Sequence, residues 1–279
     1  VSEDGSRTWV CANQLPQGSQ YHLRPVDETL FAGSTGIALF LAALHACGGD
    51  DSRRRMAYSA MATLRRNLPR VADDPGAEQT SLGVGVGLGS IIYALAATGE
   101  WLGDEQLVDE AEWVARHLTP RRIAADGALD VVYGSAGAIL GLVRLHAVRP
   151  GTAVRDAARR CGDHLLERRG DPGGGLRAWA SPDRCYLSGF SHGAAGIAYA
   201  LCRLHELVPD AAYLAAAREA MAFERTLRDP GTGSWLPGTG RSGGLVSWCH
   251  GGPGIGVARL GALPYLDRTD LVADVDSCV

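Results

Sequence analysis

Five short segments, each with glycines ahead of an apolar run, recur along the chain and constrain its fold more than any other feature. They are FAGSTGIALFLAAL from Phe31, LGVGVGLGSIIYALAATG from Leu82, VYGSAGAILGLVRLH from Val132, FSHGAAGIAYALCRL from Phe190 and CHGGPGIGVARL from Cys249. The aligned glycines, Gly36, Gly89, Gly137, Gly196 and Gly254, are separated by 53, 48, 59 and 58 residues. Such a regular spacing indicates a repeat architecture, in which each unit buries its apolar face against its neighbours.

Charged segments between the glycine motifs have the spacing of amphipathic helices. They are SRRRMAYSAMATLRRNL, DEQLVDEAEWVARHL, AVRDAARRCGDHLLERR and AAYLAAAREAMAFERTL. Their apolar residues recur every three or four positions, with Arg and Glu between them. Each repeat therefore predicts one buried helix of small residues and one amphipathic helix, and no segment shows convincing strand alternation. We predict an all-α fold, an α/α toroid or double-layered helical barrel, as a single domain over residues 1–279.

The composition excludes several classes of function. A formal net charge of −4 argues against a dedicated nucleic-acid surface. No segment is both apolar and long enough to cross a bilayer, and the first residues lack the basic-then-apolar pattern of a signal segment. The seven cysteines are odd in number and scattered, which is typical of free thiols in a reducing compartment. We therefore expect a cytoplasmic protein that binds no nucleic acid and spans no membrane.

Polar residues in three glycine loops would converge at one end of such a toroid, because all its inner helices can begin there. They are Asp130 and Tyr133 in LDVVYGSAG, His192 in GFSHGAAG, and Cys249 with His250 in SWCHGGPGIG. A thiol at a helix N-terminus has a lowered pKa, which makes Cys249 a candidate metal ligand or nucleophile. A buried structural cysteine followed by a turn is an open alternative.

The same three motifs, in this order and spacing, resemble the inner-helix motifs of the lanthionine synthetase cyclases, the LanC-like proteins. The opening YHLRPVDETLFAGSTGIALFLAAL is most similar to the C-terminal cyclase module of class II lanthipeptide synthetases. The resemblance implies an α/α barrel with a catalytic zinc ion at one end. It implies a reaction in which a peptide cysteine adds to a dehydroalanine or dehydrobutyrine of the same peptide, forming (methyl)lanthionine thioether rings in antibiotic biosynthesis. The implied partners are a dehydrated precursor peptide and a dehydratase domain or enzyme.

The resemblance also implies a role for each residue that matches a family motif. Cys249 would be a zinc ligand and His192 the acid/base beside the metal. Asp130 would either orient that imidazole or accept a proton. His250 occupies the place after the first ligand, where family members carry a Tyr or His that faces the site. An Arg often found four residues before the first ligand is replaced here by Leu245.

The end of the sequence departs from the family pattern. The family supplies its second and third zinc ligands from a Cys-His or Cys-Cys glycine motif in the repeat after the first ligand. This sequence stops at Val279, 30 residues after Cys249, and Cys278 lacks the glycine context. We therefore expect part of a longer chain, with the remaining ligands beyond Val279 and weak zinc binding by these residues alone.

Other functions stay open from the sequence. One is a catalytically inactive, cyclase-like scaffold that binds peptides. Another is a serine hydrolase, because GFSHG matches G-x-S-x-G with Ser191 as nucleophile and HGGP resembles an oxyanion loop, although no strand precedes Ser191. A protein prenyltransferase β-subunit is also an α/α toroid with zinc, but it would need a more aromatic pocket. The sequence has no G-x-x-x-x-G-K-[ST] motif, so the preceding dehydration would need another domain or enzyme.

Overall fold

The computed structural model describes residues 7–14, 20–73, 80–243 and 246–278, and helices dominate it. In chain order its elements are β1 (Val10–Gln14), β2 (Tyr21–Pro25), α1 (Ser34–Gly48), α2 (Asp51–Asn67), α3 (Arg70–Asp73), α4 (Leu88–Leu102), α5 (Glu105–Ala115), α6 (Pro120–Ala125), α7 (Ser135–Val148), α8 (Thr152–Glu167), α9 (Ala194–Leu207), α10 (Ala211–Thr226), α11 (Gly252–Ala262) and α12 (Arg268–Asp276). A helix begins within every glycine motif, as the repeat predicted.

The helices that begin in the glycine motifs form the inner layer. These are α1, α4, α7, α9 and α11, and each packs against the next one along the chain. Glycine allows a very close approach between them: a Cβ atom on Gly141 of α7 would lie 2.7 Å from the carbonyl oxygen of Gly89 on α4. The order of the inner helices in space therefore follows their order in sequence, which places their N-terminal loops side by side.

The amphipathic helices form the outer layer. α2, α5, α8, α10 and α12 each pack on the inner helix that precedes them. Four of these helices begin after an aspartate whose carboxylate accepts a hydrogen bond from a backbone N–H of the first turn, namely Asp50, Asp104, Asp210 and Asp267. The predicted α/α arrangement of inner and outer helices is confirmed.

The described inner helices form an arc that is open between α11 and α1. These two helices lack the extensive packing that joins consecutive inner helices. Both expose large apolar side chains: Phe40 of α1 is 62% exposed, and Val257 and Leu260 of α11 are 54% and 53% exposed. The loops that precede the two helices do meet, since the ring centroids of Phe31 and Trp248 are 5.9 Å apart.

One local feature differs from the sequence prediction of an all-helical fold. β1 and β2 form an antiparallel pair, with Val10 opposite Pro25. The residues of β2 are all exposed, so this pair produces no apolar alternation by which the sequence could reveal it.

Candidate functional site

The loop before α7 is shaped by the carboxylate of Asp126. One carboxylate oxygen accepts hydrogen bonds from the backbone N–H groups of Ala128 and Leu129, at 3.0 and 3.2 Å. The other accepts from the backbone N–H and the hydroxyl of Ser135, at 2.7 and 2.6 Å. Leu129 has a φ angle of +64°, a conformation that these bonds support. Asp126 thereby fixes the backbone from which Asp130 projects.

Asp130 holds the side chain of His192. Its Oδ1 atom accepts a hydrogen bond from the backbone N–H of Tyr133 at 2.7 Å, and its Oδ2 atom lies 2.8 Å from Nδ1 of His192. An ionised carboxylate can only accept, so Nδ1 carries the proton and Nε2 of the neutral ring is an acceptor. The Asp130 side chain is 8% exposed and that of His192 is 28% exposed. The pair thus presents an oriented imidazole to solvent.

The imidazole of His192 contacts two other rings. The ring of Tyr133 is stacked on it, with centroids 5.5 Å apart and planes inclined by 14°. The centroid of the His250 ring lies 5.6 Å from that of His192, and the planes of these two rings are inclined by 30°. Burial lowers the pKa of His250, and the neighbouring basic side chains of His192 and Arg241 lower it further. His250 is therefore neutral near neutral pH and can accept or donate a hydrogen bond.

The loop before α11 carries Cys249 and is bonded to the loop of His192. The Sγ atom of Cys249 lies 3.1 Å from the hydroxyl of Ser247, which also accepts a hydrogen bond from the His250 N–H at 3.2 Å. The carbonyl oxygen of Cys249 accepts bonds from the N–H and hydroxyl of Ser191, at 3.3 and 3.1 Å. The Ser191 carbonyl accepts in turn from the Val131 N–H at 3.2 Å. The three glycine loops that the sequence singled out therefore meet.

Gly189 is required where the second and third of these loops touch. Its φ angle is +94°, and a Cβ atom there would lie 2.6 Å from the carbonyl oxygen of Cys249. Any other residue would combine an unfavourable backbone conformation with a steric clash. The glycine before His192 thus serves the close approach of two loops rather than flexibility.

The described residues do not by themselves complete a catalytic zinc site. Such a site uses three protein ligands and keeps a further position open for water or substrate. Within residues 7–14, 20–73, 80–243 and 246–278 no group of three or more His, Cys, Asp or Glu side chains is arranged to hold a metal ion. Cys249 would thus need ligands from elsewhere. Leu245, at the position where the family often carries Arg, lies outside the described residues.

Ser191 has a structural role in the contact between two loops. It is 2% exposed, and its hydroxyl donates a hydrogen bond to the carbonyl oxygen of Cys249. A nucleophilic serine would need a hydroxyl accessible to substrate and bonded to a general base. The geometry therefore gives no support to the serine hydrolase suggested by GFSHG.

Sequence reasoning missed two buried charged residues behind the site. Glu224 of α10 accepts hydrogen bonds from the backbone N–H groups of Gly189 and Ala195, and it pairs with Arg259 of α11. A signal was present in the periodicity: Glu224 follows Ala217 and Ala220 at spacings of seven and four, and these residues share the buried face of the helix. A charged residue in an amphipathic helix, however, usually indicates a position on the solvent-exposed face.

Paired inner and outer helices, with the polar loops of the inner helices gathered at one site, define an α/α toroid protein. A family model described as lanthionine synthetase C-like protein matches residues 24–279. The chain belongs to the lanthionine synthetase C-like family, and the resemblance seen in the motifs is confirmed.

Solved structures agree with this fold. A structure described as nisin cyclase matches with a TM-score of 0.67 at 18% sequence identity, covering 90% of this chain and 68% of that one. Cellobiose 2-epimerase from Bacillus thermoamylovorans matches with a TM-score of 0.54 at 9% identity, covering 90% of this chain and 76% of that one. At these identities the likeness shows the fold alone. A search of curated proteins gives no match. No helix in the described part of the chain has the length and apolarity needed to cross a membrane.

Proposed function

We propose that this chain is a cyclase that adds a cysteine thiol of a peptide to a dehydroalanine or dehydrobutyrine in the same peptide, forming a thioether ring. Family membership supports the reaction type. The observation that carries the proposal is the hydrogen bond between Nδ1 of His192 and Oδ2 of Asp130, beside the loop of Cys249. It gives the site an oriented acid/base whose other nitrogen is open to substrate.

The reaction needs one proton to leave sulfur and one to reach carbon. Nε2 of His192 accepts the proton of the substrate thiol, and the resulting thiolate adds to the β-carbon of the dehydro residue. The electron pair of the double bond moves toward the adjacent carbonyl and forms an enolate. Protonated His192 then returns a proton from Nε2 to the α-carbon, while Asp130 stabilises the imidazolium. One S–H bond and the π bond of one C=C are replaced by one C–S and one C–H bond, without a co-reactant.

The proposal includes one zinc ion held by Cys249 together with ligands from outside the described residues. Zinc bound at such a site lowers the pKa of a coordinated thiol. The proposed partners are a dehydrated precursor peptide and the dehydratase domain or enzyme that prepares it. We propose that this chemistry takes place in the cytoplasm, as part of lanthipeptide antibiotic biosynthesis. The same proposal takes the chain to be most like the cyclase module of a class II lanthipeptide synthetase.

A peptide-binding scaffold without catalysis is the second candidate. It is favoured by the incomplete set of metal ligands among the described residues. The two functions differ in one measurable respect, because only the cyclase consumes substrate thiols.

The test uses a dehydrated lanthipeptide precursor and this chain with any natural sequence that follows residue 279, supplied with zinc. Ring formation leaves the peptide mass unchanged but removes a free thiol, so thiols are counted by alkylation and mass spectrometry. The cyclase predicts loss of thiols at unchanged mass, faster than in a control without protein. Binding of the peptide with all thiols retained would favour the scaffold.

A further inference from the structure

A buried network of charges lies behind the candidate site. The side chains of Arg259 and Glu224 are both 0% exposed, and Nη1 of Arg259 lies 2.9 Å from Oε2 of Glu224. Nε of the same arginine lies 2.7 Å from Oδ2 of Asp274 on α12. Removing such charges from water costs about as much as their pairing returns, so a buried ion pair is weak evidence of a stabilising role. Its other contacts indicate what it does.

Glu224 binds both ends of the loop that carries His192. Its Oε1 atom accepts hydrogen bonds from the backbone N–H of Gly189 at 2.9 Å and of Ala195 at 3.0 Å. These two residues lie on either side of His192 in the sequence. One carboxylate oxygen thus fixes the start and the end of the segment from which the imidazole projects, through charge-assisted bonds that burial strengthens.

Arg259 connects this anchor to the loop of Cys249. It lies on α11, the helix that begins immediately after Cys249 and His250. Its guanidinium bonds Glu224 of α10 on one side and Asp274 of α12 on the other. The fork geometry of arginine sets the direction of both contacts. The position of α11, and of the loop before it, is therefore coupled to the His192 loop through Glu224.

We propose that Glu224 and Arg259 are positioning residues, which set the imidazole of His192 against Asp130 and His250; this inference rests on the proposed cyclase function. Within the described residues, Glu224 and Arg259 form hydrogen bonds and ion pairs with the backbone and with each other and Asp274, not with the three site side chains. They therefore act through the backbone of residues 189–195. A small displacement of that loop changes the His192–Asp130 bond and the ring contact with His250. The bond and the ring contact depend on the position of the loop, whereas the helical content of the protein does not affect them.

Glu224→Gln is the principal variant. It keeps the shape and one acceptor oxygen but removes the charge that binds Arg259. We expect faster hydrogen exchange at the Gly189 and Ala195 amides and altered ¹⁵N chemical shifts of the His192 ring, which report its tautomer and its bond to Asp130. We expect the single-turnover cyclisation rate to fall about tenfold to a hundredfold, the effect of a slightly misplaced reacting group.

Glu219→Gln is the matched control on the same helix. The Glu219 carboxylate also accepts from a backbone N–H, that of Arg177 at 2.9 Å, and pairs with Arg169 at 3.0 Å. Arg177 belongs to the connection between α8 and α9, but it lies 12 residues before Gly189, outside the segment 189–195 that Glu224 holds. We expect this variant to lose stability while the His192 ring signals and the cyclisation rate stay at their wild-type values.

The ring signals decide the inference, because they are measured on the protein without peptide. His192 signals that stay at wild-type positions in Glu224→Gln would overturn it. If that variant does not fold, Arg259→Lys replaces it: lysine keeps the charge but cannot reproduce both directed contacts, so the His192 signals should move, and unmoved signals would overturn the inference. Moved signals together with a wild-type protein that consumes no thiols would refute the cyclase and leave the positioning role standing.

Discussion

The Nδ1 atom of His192 lies 2.8 Å from Oδ2 of Asp130, although the two residues are 62 positions apart in the sequence. They meet because α7 and α9 are neighbours in the inner layer and begin at the same end. The carboxylate is buried and bonded to the Tyr133 N–H, so it is a fixed acceptor. The orientation of the imidazole is therefore a direct product of the repeat.

Asp130→Asn should lower the cyclisation rate by about 100-fold to 10,000-fold, the usual contribution of a positioned acid/base. The amide can donate to Nδ1 and so favours the wrong tautomer of His192, leaving Nε2 protonated. Single-turnover thiol counting measures the rate, and circular dichroism should show unchanged helicity. Asp156→Asn, at an exposed carboxylate on the outer helix α8, serves as the control. Equal rates in the two variants would remove Asp130 from the catalytic pair.

Gly189→Ala should destabilise the fold more than Gly173→Ala. Both glycines have positive φ angles, +94° and +106°, and the backbone strain of a substitution there costs about 1–3 kcal/mol. Only at Gly189 would the added Cβ also lie 2.6 Å from the Cys249 carbonyl oxygen, whereas Gly173 has no atom within 4 Å of that position. Urea unfolding of both variants measures the difference. Equal losses would mean that the loops adjust freely.

The cysteines should differ in their reaction with iodoacetamide at mildly alkaline pH. Burial raises the pKa of the Cys161 and Cys202 thiols to about 12, so these two should stay unmodified in the folded protein. Cys47 is exposed and Cys249 is partly exposed, so both should be labelled. Peptide mapping by mass spectrometry identifies the modified residues. Labelling of Cys161 at the rate of Cys47 would contradict the packing of α8.

Cys249→Ala should abolish zinc binding and cyclisation while the helicity stays near that of the wild type. The thiolate is the ligand that we assign to the metal, and removal of a ligand from an open site greatly weakens binding. Elemental analysis of the purified variant, with any natural sequence after residue 279 included, measures the metal. Retained stoichiometric zinc would assign the ion to other residues.

The fold was largely predictable because its pattern is local. Glycine followed by small apolar residues marks every inner helix, and the spacing of Leu107, Ala111 and Val114 marks the buried face of an outer one. The β1–β2 pair was not predictable, since it depends on backbone hydrogen bonds between exposed strands and leaves no pattern in the side chains.

The sequence predicted which residues form the candidate site, but not how their side chains contact one another. The repeat brought Asp130, His192 and the Cys249–His250 pair to one end of the barrel, whereas the role of Asp130 stayed open because it depends on a distance between loops. Glu224 and Arg259 were missed for a different reason. Their partners lie on other helices, and a charged residue is buried only when such partners are present.

The most direct measurement is the single-turnover rate of thiol consumption by His192→Ala, compared with the wild type at equal zinc content. We assign proton transfer to His192 and metal binding to Cys249. We therefore expect a rate lower by about 100-fold to 10,000-fold with the zinc retained. A wild-type rate in His192→Ala would contradict the assignment, and loss of zinc from this variant would place His192 among the metal ligands instead.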